Sequence, residues 1–151
     1  MCAPRGIPCA LVENAMAKVR TSIQFLKYDD KFKAFKAGEI IFKENDPGLF
    51  MYVVRKGSVE LRREGQLLEV VESGQFFGEM ALIEHSTRCA TATACTACEL
   101  VQLDEAKFTY MVGQTPYFAL DVLRVMAKRL RHTTETVTRI SGRLQSVMRG
   151  A

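Results

Sequence analysis

The stretch that decides the reading is Phe76-Phe77-Gly78-Glu79-Met80-Ala81-Leu82, followed after five residues by Arg88-Cys89-Ala90-Thr91. Two aromatic residues close a β-type run, and glycine at position 78 lets the backbone turn sharply. Gly78 through Leu82 then has the pattern of a short helix start. Backbone N–H groups at such a start lack intrahelical partners and can receive an anion. Glu79 falls in the first turn, where the helix dipole favours a carboxylate that can accept hydrogen bonds from hydroxyls. Arg88 is expected to open a strand of small residues, Cys89, Ala90, Thr91 and Ala92. With few counter-charges close in sequence, its guanidinium is expected to meet an anion across the fold.

Upstream, the runs Ile40–Phe42, Phe50–Val54, Val59–Leu61 and Leu67–Val71 are rich in Ile, Val, Phe and Tyr, with glycines between them at intervals of mostly eight to ten residues. Many short strands with evenly spaced turns predict an antiparallel β-roll or jelly roll over residues 32–103. Lys56-Gly57 and Glu64-Gly65 are the expected hairpin turns. Before the roll, Leu11, Ala15, Val19, Ile23 and Leu26 recur at helical spacing, which predicts a helix over about residues 10–28. After it, Asp104 can cap a short helix from Glu105, and Thr115-Pro116 can start a longer one, giving helices over about 105–148. No linker composition separates these zones. The expected fold class is α+β, mainly β: a single domain over 1–151, with a roll flanked by an N-terminal helix and a long C-terminal helix.

The last helix carries a second signal. Leu123, Leu130, Val137 and Leu144 recur every seven residues, and Met126, Thr133, Ile140 and Val147 do so three positions further on. This a/d pattern runs for about 37 Å at 1.5 Å per residue, longer than a small roll can cover. Packing on the chain's own core accounts for the first two heptads; beyond Thr134 a partner helix is expected, as in a homodimer. Gly142 weakens the helix by about 1 kcal/mol but lies off the stripe.

The Gly-Glu turn, the small-residue run and the arginine at its head together resemble the phosphate-binding cassette of cyclic-nucleotide-binding domains, of the kind found as the sensor domain of catabolite activator proteins. The resemblance runs from about Phe32 to Arg131. It includes the glycine spacing, Phe-Gly-Glu-Met-Ala-Leu, Arg-Cys-Ala-Thr, and Met126-Ala127-Lys128-Arg129-Leu130 in the last helix. It implies that Glu79 accepts a hydrogen bond from a ribose 2′-hydroxyl. Arg88 would pair with the cyclic phosphate, assisted by the N–H groups of Met80 and Ala81, and Gly78 would let the ligand approach. Breaking such a buried, charge-assisted pair costs about 3–5 kcal/mol. In relatives a Thr or Ser directly after the arginine accompanies guanine preference; Cys89 stands there, which tilts the reading to cyclic AMP over cyclic GMP. Thr133 and Thr134 match residues that contact adenine, Thr134 from the partner subunit. A polar Thr133 on an apolar seam is explained by a shared ligand, or else it sets helix register.

Composition bounds the alternatives. At 151 residues the chain suits one domain that buries about 70% of its unfolded surface. A net charge of +4 is too mild to argue for nucleic acid. Pro8 and Glu13 interrupt the only early apolar stretch, and no run approaches the roughly 20 residues that span a bilayer, so a cytoplasmic protein with no membrane partner is expected. Five cysteines, an odd count, favour reduced thiols over a disulfide framework. Cys95 and Cys98 read as part of one strand over Ala90–Cys98, on opposite faces, and therefore as small buried thiols rather than a chelating pair.

A haem or iron–sulfur sensor on the same fold would need ligands that isolated Cys2 and Cys9, with His85 and His132, do not supply. No metal or cofactor is expected. Hydrolysis of the nucleotide would need metals or a positioned base, and the cassette offers one carboxylate committed to the sugar, so no enzyme is expected. Catabolite activators continue into a helix-turn-helix domain that is missing here. The expectation is therefore a sensor without sequence-specific DNA binding, either standing alone and signalling to an unknown protein effector or forming the sensor fragment of something longer; a ligand-free interaction scaffold is the alternative.

Overall fold

The computed structural model describes Leu26, Asp29 and residues 31–150. The helix expected over 10–28 lies outside the described residues except for Leu26, which is helical and buried. Cys2 and Cys9 lie outside them too.

Among the described residues, eight strands form two antiparallel four-stranded sheets. They are β1 (Lys33–Phe35), β2 (Ile40–Phe42), β3 (Met51–Lys56), β4 (Ser58–Arg63), β5 (Gln66–Glu72), β6 (Phe76–Phe77), β7 (Thr91–Ala94) and β8 (Cys98–Leu103). One sheet runs β1-β8-β3-β6 and the other β2-β7-β4-β5. Val53 pairs with Val101 in the first, and Val59 with Val71 in the second. Besides the helical Leu26, the described residues hold three helices: α1 (Glu79–Glu84), α2 (Glu105–Gln114) and α3 (Pro116–Arg149). The expected mainly-β roll with a long C-terminal helix is the fold observed.

Burial follows from the two layers. Phe35, Phe42, Tyr52, Val54, Val59 and Phe77 are among the residues filling the space between the sheets. On the other face of the first sheet, Met51, Val53, Phe76 and Leu103 pack with Phe118 and Val122 of α3. That sheet is covered on both faces, which is why Met51–Val54 is a continuous apolar run instead of an alternating one. Adjacent strand residues point to opposite faces. Phe76 therefore faces α3 while Phe77 faces the sandwich interior, and the aromatic pair staples both cores at the entrance to the cassette.

One local reading holds and two are corrected. Glu64-Gly65 is a hairpin turn, with φ of 50° and 79° joining β4 to β5. Lys56-Gly57 is not: β3 and β4 belong to different sheets, and the chain turns a corner there. A side chain on Gly57 would come within 2.5 Å of the Ala97 carbonyl oxygen, so the corner needs glycine for space as well as for its φ of 84°. The strand expected over Ala90–Cys98 ends at Ala94, and Cys98 opens β8 after a turn. Cys95 is exposed in that turn while Cys98 is buried, because only Cys98 lies in a paired strand facing the core.

The caps of the later helices are as expected. Asp104 accepts from the Lys107 N–H at 2.8 Å, and Pro116 is the first residue of α3. Phe108 of α2 meets Phe118 of α3 edge-on at 5.6 Å, which holds the two helices together. Among the described residues no helix is long and apolar enough to cross a membrane.

Candidate functional site

The site is built on the segment between β6 and β7. Gly78 caps α1 with φ +79°, a conformation that L side chains rarely adopt. Its missing side chain also matters for space, since a Cβ there would lie 2.7 Å from Nη1 of Arg88. Gly48 plays the corresponding part from the opposite side. A Cβ on it would come 2.1 Å from that of Ala81, so α1 rests directly on the Gly48 backbone.

Arg88 does not open a strand as expected; β7 begins three residues later, and Arg88 lies in the loop that follows α1. Tertiary contacts hold it there. Its N–H donates to the Asp46 carbonyl at 2.8 Å, and its own carbonyl accepts from the Asn45 N–H at 2.9 Å. The side chain is 4% exposed. Its guanidinium donates to the carbonyls of Gly78 at 2.8 Å and Phe50 at 2.5 Å and lies over the Phe42 ring at 4.0 Å. No carboxylate pairs with it among the described residues, and the buried Nε has no hydrogen-bond partner. Burial pulls its pKa below the ordinary arginine value, an effect that nearby Tyr52, Cys89, Asp46 and Glu79 only oppose. The guanidinium nevertheless stays protonated at physiological pH, so the loop holds a desolvated cation short of a counter-ion.

Glu79 is 1% exposed. Its carboxylate accepts from Nη1 of Arg129, a residue of α3 to which sequence reasoning assigned no role. Nε of the same guanidinium donates to Glu69 of β5 at 2.7 Å, and its Nη2 donates to the Phe76 carbonyl at 2.8 Å. Burial works against the charge on Arg129, but Glu79 and Glu69 outweigh it and the net shift of its pKa is upward. One side chain thus ties α3 to β5, β6 and α1. The only sequence signals were the Met126–Leu130 segment of the resemblance and two roll carboxylates, Glu69 and Glu79, without a local cation.

The structure brings Gly78, Glu79, Ala81 and Arg88 together. Met80 follows Glu79 on α1 with its side chain 41% exposed, and Cys89 is exposed beside Arg88. Thr133 and Thr134 are exposed on α3, their hydroxyls bonded at 2.9 Å to the carbonyls of Arg129 and Leu130 in their own helix. Within this chain neither has a hydrogen bond to the cassette among the described residues.

The apolar seam of α3 is more exposed than expected. The core side of the helix is formed by Phe118, Val122, Val125 and Met126. Leu123 and Leu130, in the two heptads assigned to the chain's own core, are 60% and 67% exposed. Only Met126 of that stripe packs inward, because the helix presents a neighbouring face to the roll and leaves the a positions outside. Val137, Ile140, Leu144 and Val147 are also exposed.

Comparison with known proteins agrees with this geometry. The model of the cyclic nucleotide-binding domain matches residues 32–115. The chain is 28% identical over 108 residues to a CRP-like cAMP-activated global transcriptional regulator of Mycobacterium tuberculosis, an overlap of 68% of this chain and 48% of that protein. It is 32% identical over 111 residues to a cGMP-dependent protein kinase, isozyme 2, of Drosophila melanogaster, covering 72% of this chain and 10% of the kinase. Among solved structures, the catabolite activator protein of Thermus thermophilus superimposes with a TM-score of 0.66 at 26% identity, over 91% of this chain and 62% of that one. The chain therefore spans about half the length of the bacterial relative it matches in sequence, and about a tenth of the kinase.

Proposed function

The chain belongs to the cyclic nucleotide-binding domain family, and we propose that it is a regulatory module that binds cyclic AMP in preference to cyclic GMP and signals through a conformational change to a protein partner. The observation that carries this reading is the Arg88 guanidinium: buried, without a carboxylate, and with Nε unpartnered. An anionic ligand supplies what the fold withholds, and a cyclic phosphate of single charge matches one guanidinium. The N–H groups of Met80 and Ala81 are the assisting donors, and Gly78 leaves the space. The buried carboxylate of Glu79 takes the ribose 2′-hydroxyl. Arg129, already bonded to Glu79, lets the same event reach α3.

The base is read from the residues that flank Arg88 and from the exposed face of α3. The exposed Cys89 thiol is a weak donor beside the phosphate site. Thr133 and Thr134, exposed on α3, contact adenine when a second copy packs along the seam of Leu123, Leu130, Val137, Ile140, Leu144 and Val147. We read the module as a homodimer on that seam, with a cytoplasmic place in keeping with free thiols. A catalytic role is disfavoured, since the buried cassette carboxylate is held by Arg129 and is not free to act as a base.

The test is calorimetric titration of nucleotide-free protein with cyclic AMP and cyclic GMP, with Arg88→Ala alongside. The expected result is micromolar or tighter cyclic AMP binding that the substitution abolishes. No heat with either ligand, confirmed by a fluorescent analogue, would overturn the reading in favour of an interaction scaffold. Tighter binding of cyclic GMP would overturn only the assignment of the base.

A further inference from the structure

A second feature stands apart from the cassette. Lys31, Phe32 and Lys33, around the start of β1, Gln102 of β8 and Lys107 of α2 line an open groove of about 600 Å³. Three of these five residues are lysines. The carboxylate engaged with them is Asp29, which accepts from the Lys31 N–H at 3.1 Å and pairs with Lys107 Nζ at 2.5 Å. Of the nearby acids on α2, Asp104 is engaged as its N-cap and Glu105 faces His85 at 3.5 Å. The wall under the groove adds a further cation. The Arg55 guanidinium lies 4.4 Å from the Phe32 ring, and its Nη1 is buried without a hydrogen-bond partner although Nε is 3.5 Å from Glu99. Among the described residues the groove therefore carries more cations than carboxylates, and one half-exposed aromatic ring lines it.

We propose that this groove is a docking surface for an acidic segment of a protein partner, one that places carboxylates against Lys31, Lys33 and Lys107 and an apolar side chain against Phe32. The donors decide the class of occupant. Here the charges are ammonium groups on flexible stems, two around the start of β1 and one on α2. Among the described residues no arginine fork and no glycine turn line the groove, in contrast to the compact surroundings of Arg88. Separated point charges around an open trough suit several carboxylates spaced along a peptide better than one phosphate. The size lies within the range of ligand clefts and is too small for a nucleic-acid duplex. The groove wall also touches the known core: Gln102 donates to the Tyr52 hydroxyl at 3.4 Å, and the Tyr52 ring centroid lies 5.8 Å from the Arg88 guanidinium.

Fluorescence anisotropy of the whole chain with a short labelled peptide of glutamates around one phenylalanine tests this, without any nucleotide present. The expected result is binding that is absent with the glutamine counterpart of the peptide and weakens as salt is raised. Lys31→Glu/Lys33→Glu should weaken it about tenfold or more, and the milder Lys31→Gln/Lys33→Gln by less. Arg63→Glu, on the far hairpin, should leave it unchanged. Both lysine variants should keep their cyclic nucleotide titration, which certifies their fold and separates this proposal from the function proposed above. No binding to the intact chain, or an equal loss with Arg63→Glu, overturns the proposal. Full displacement of the peptide by inorganic tripolyphosphate overturns it in favour of a small polyanion.

Discussion

Arg129 on the last helix and Glu79 at the start of α1 form a buried ion pair between residues 50 apart in sequence. Because the same guanidinium also holds Glu69 and the Phe76 carbonyl, the position of α3 and the state of the cassette carboxylate are mechanically one variable. In the function proposed above, a ligand at Glu79 would reach α3 through this residue.

Arg129→Ala should therefore lower stability by about 2–4 kcal/mol, since it leaves the 1%-exposed Glu79 carboxylate buried without its cation. Adding Glu79→Gln should recover part of that loss by removing the stranded charge. Urea unfolding of the single and double variants measures both, and an additive further loss in the double variant would count against the pairing.

Arg88→Ala is expected to weaken cyclic nucleotide binding by about two decades or more. Arg88→Lys should not restore it, because one tetrahedral ammonium cannot reproduce the planar fork that reaches the Gly78 and Phe50 carbonyls from separate nitrogens and leaves Nε free. Calorimetric affinities of the two variants, each with a melting curve to confirm folding, decide the point.

Gly78→Ala and Gly48→Ala should separate binding from stability. The first pushes on the Arg88 guanidinium and requires a strained φ, so affinity should fall about tenfold or more with the fold retained. The second drives a methyl to 2.1 Å from Ala81, so α1 must shift and stability itself should drop by about 1–3 kcal/mol. Paired melting and titration experiments distinguish the two.

Leu130→Glu and Ile140→Glu should convert a dimer to a monomer in sedimentation velocity. Both side chains are more than half exposed in the single chain, so their burial is expected only in the assembly. A monomeric parent protein at micromolar concentration would remove the basis for the shared base site.

Thiol labelling should find Cys89 and Cys95 reactive and Cys98 protected in the native state. Burial pushes the Cys98 thiol up from its ordinary value of 9.0. The sign follows: the unfolded chain loses this proton first, so the contribution is fully present below pH 9.0 and is lost as pH rises through the folded value. Mass spectrometry after brief alkylation at pH 8, and again above pH 9, checks the order of reaction. Saturating cyclic AMP should slow labelling at Cys89 alone.

Much of the fold was legible because its signals are local. The glycine-punctuated apolar runs, the Asp104 cap, Pro116 at a helix start and the Gly78-Glu79 turn each depend on residues a few positions apart. That Gly78 and Arg88 come together was expected from the Gly-Glu turn and the arginine after it. The place of Arg129 could not be foreseen, since nothing within its own helix announces that two roll carboxylates, 50 and 60 residues away, converge on it.

The β-roll with its long helix could be read from the chain alone, because backbone preference and hydrophobic period act over a few residues. Only the tertiary structure decided that Lys56-Gly57 is a corner between sheets, that Arg88 lies in a loop held by Asn45 and Asp46, and that Leu123 and Leu130 face outward. Those outcomes depend on which distant surfaces pack and which buried charges find partners. That choice is made by shape and desolvation across the whole molecule, and no local stretch of the chain encodes it.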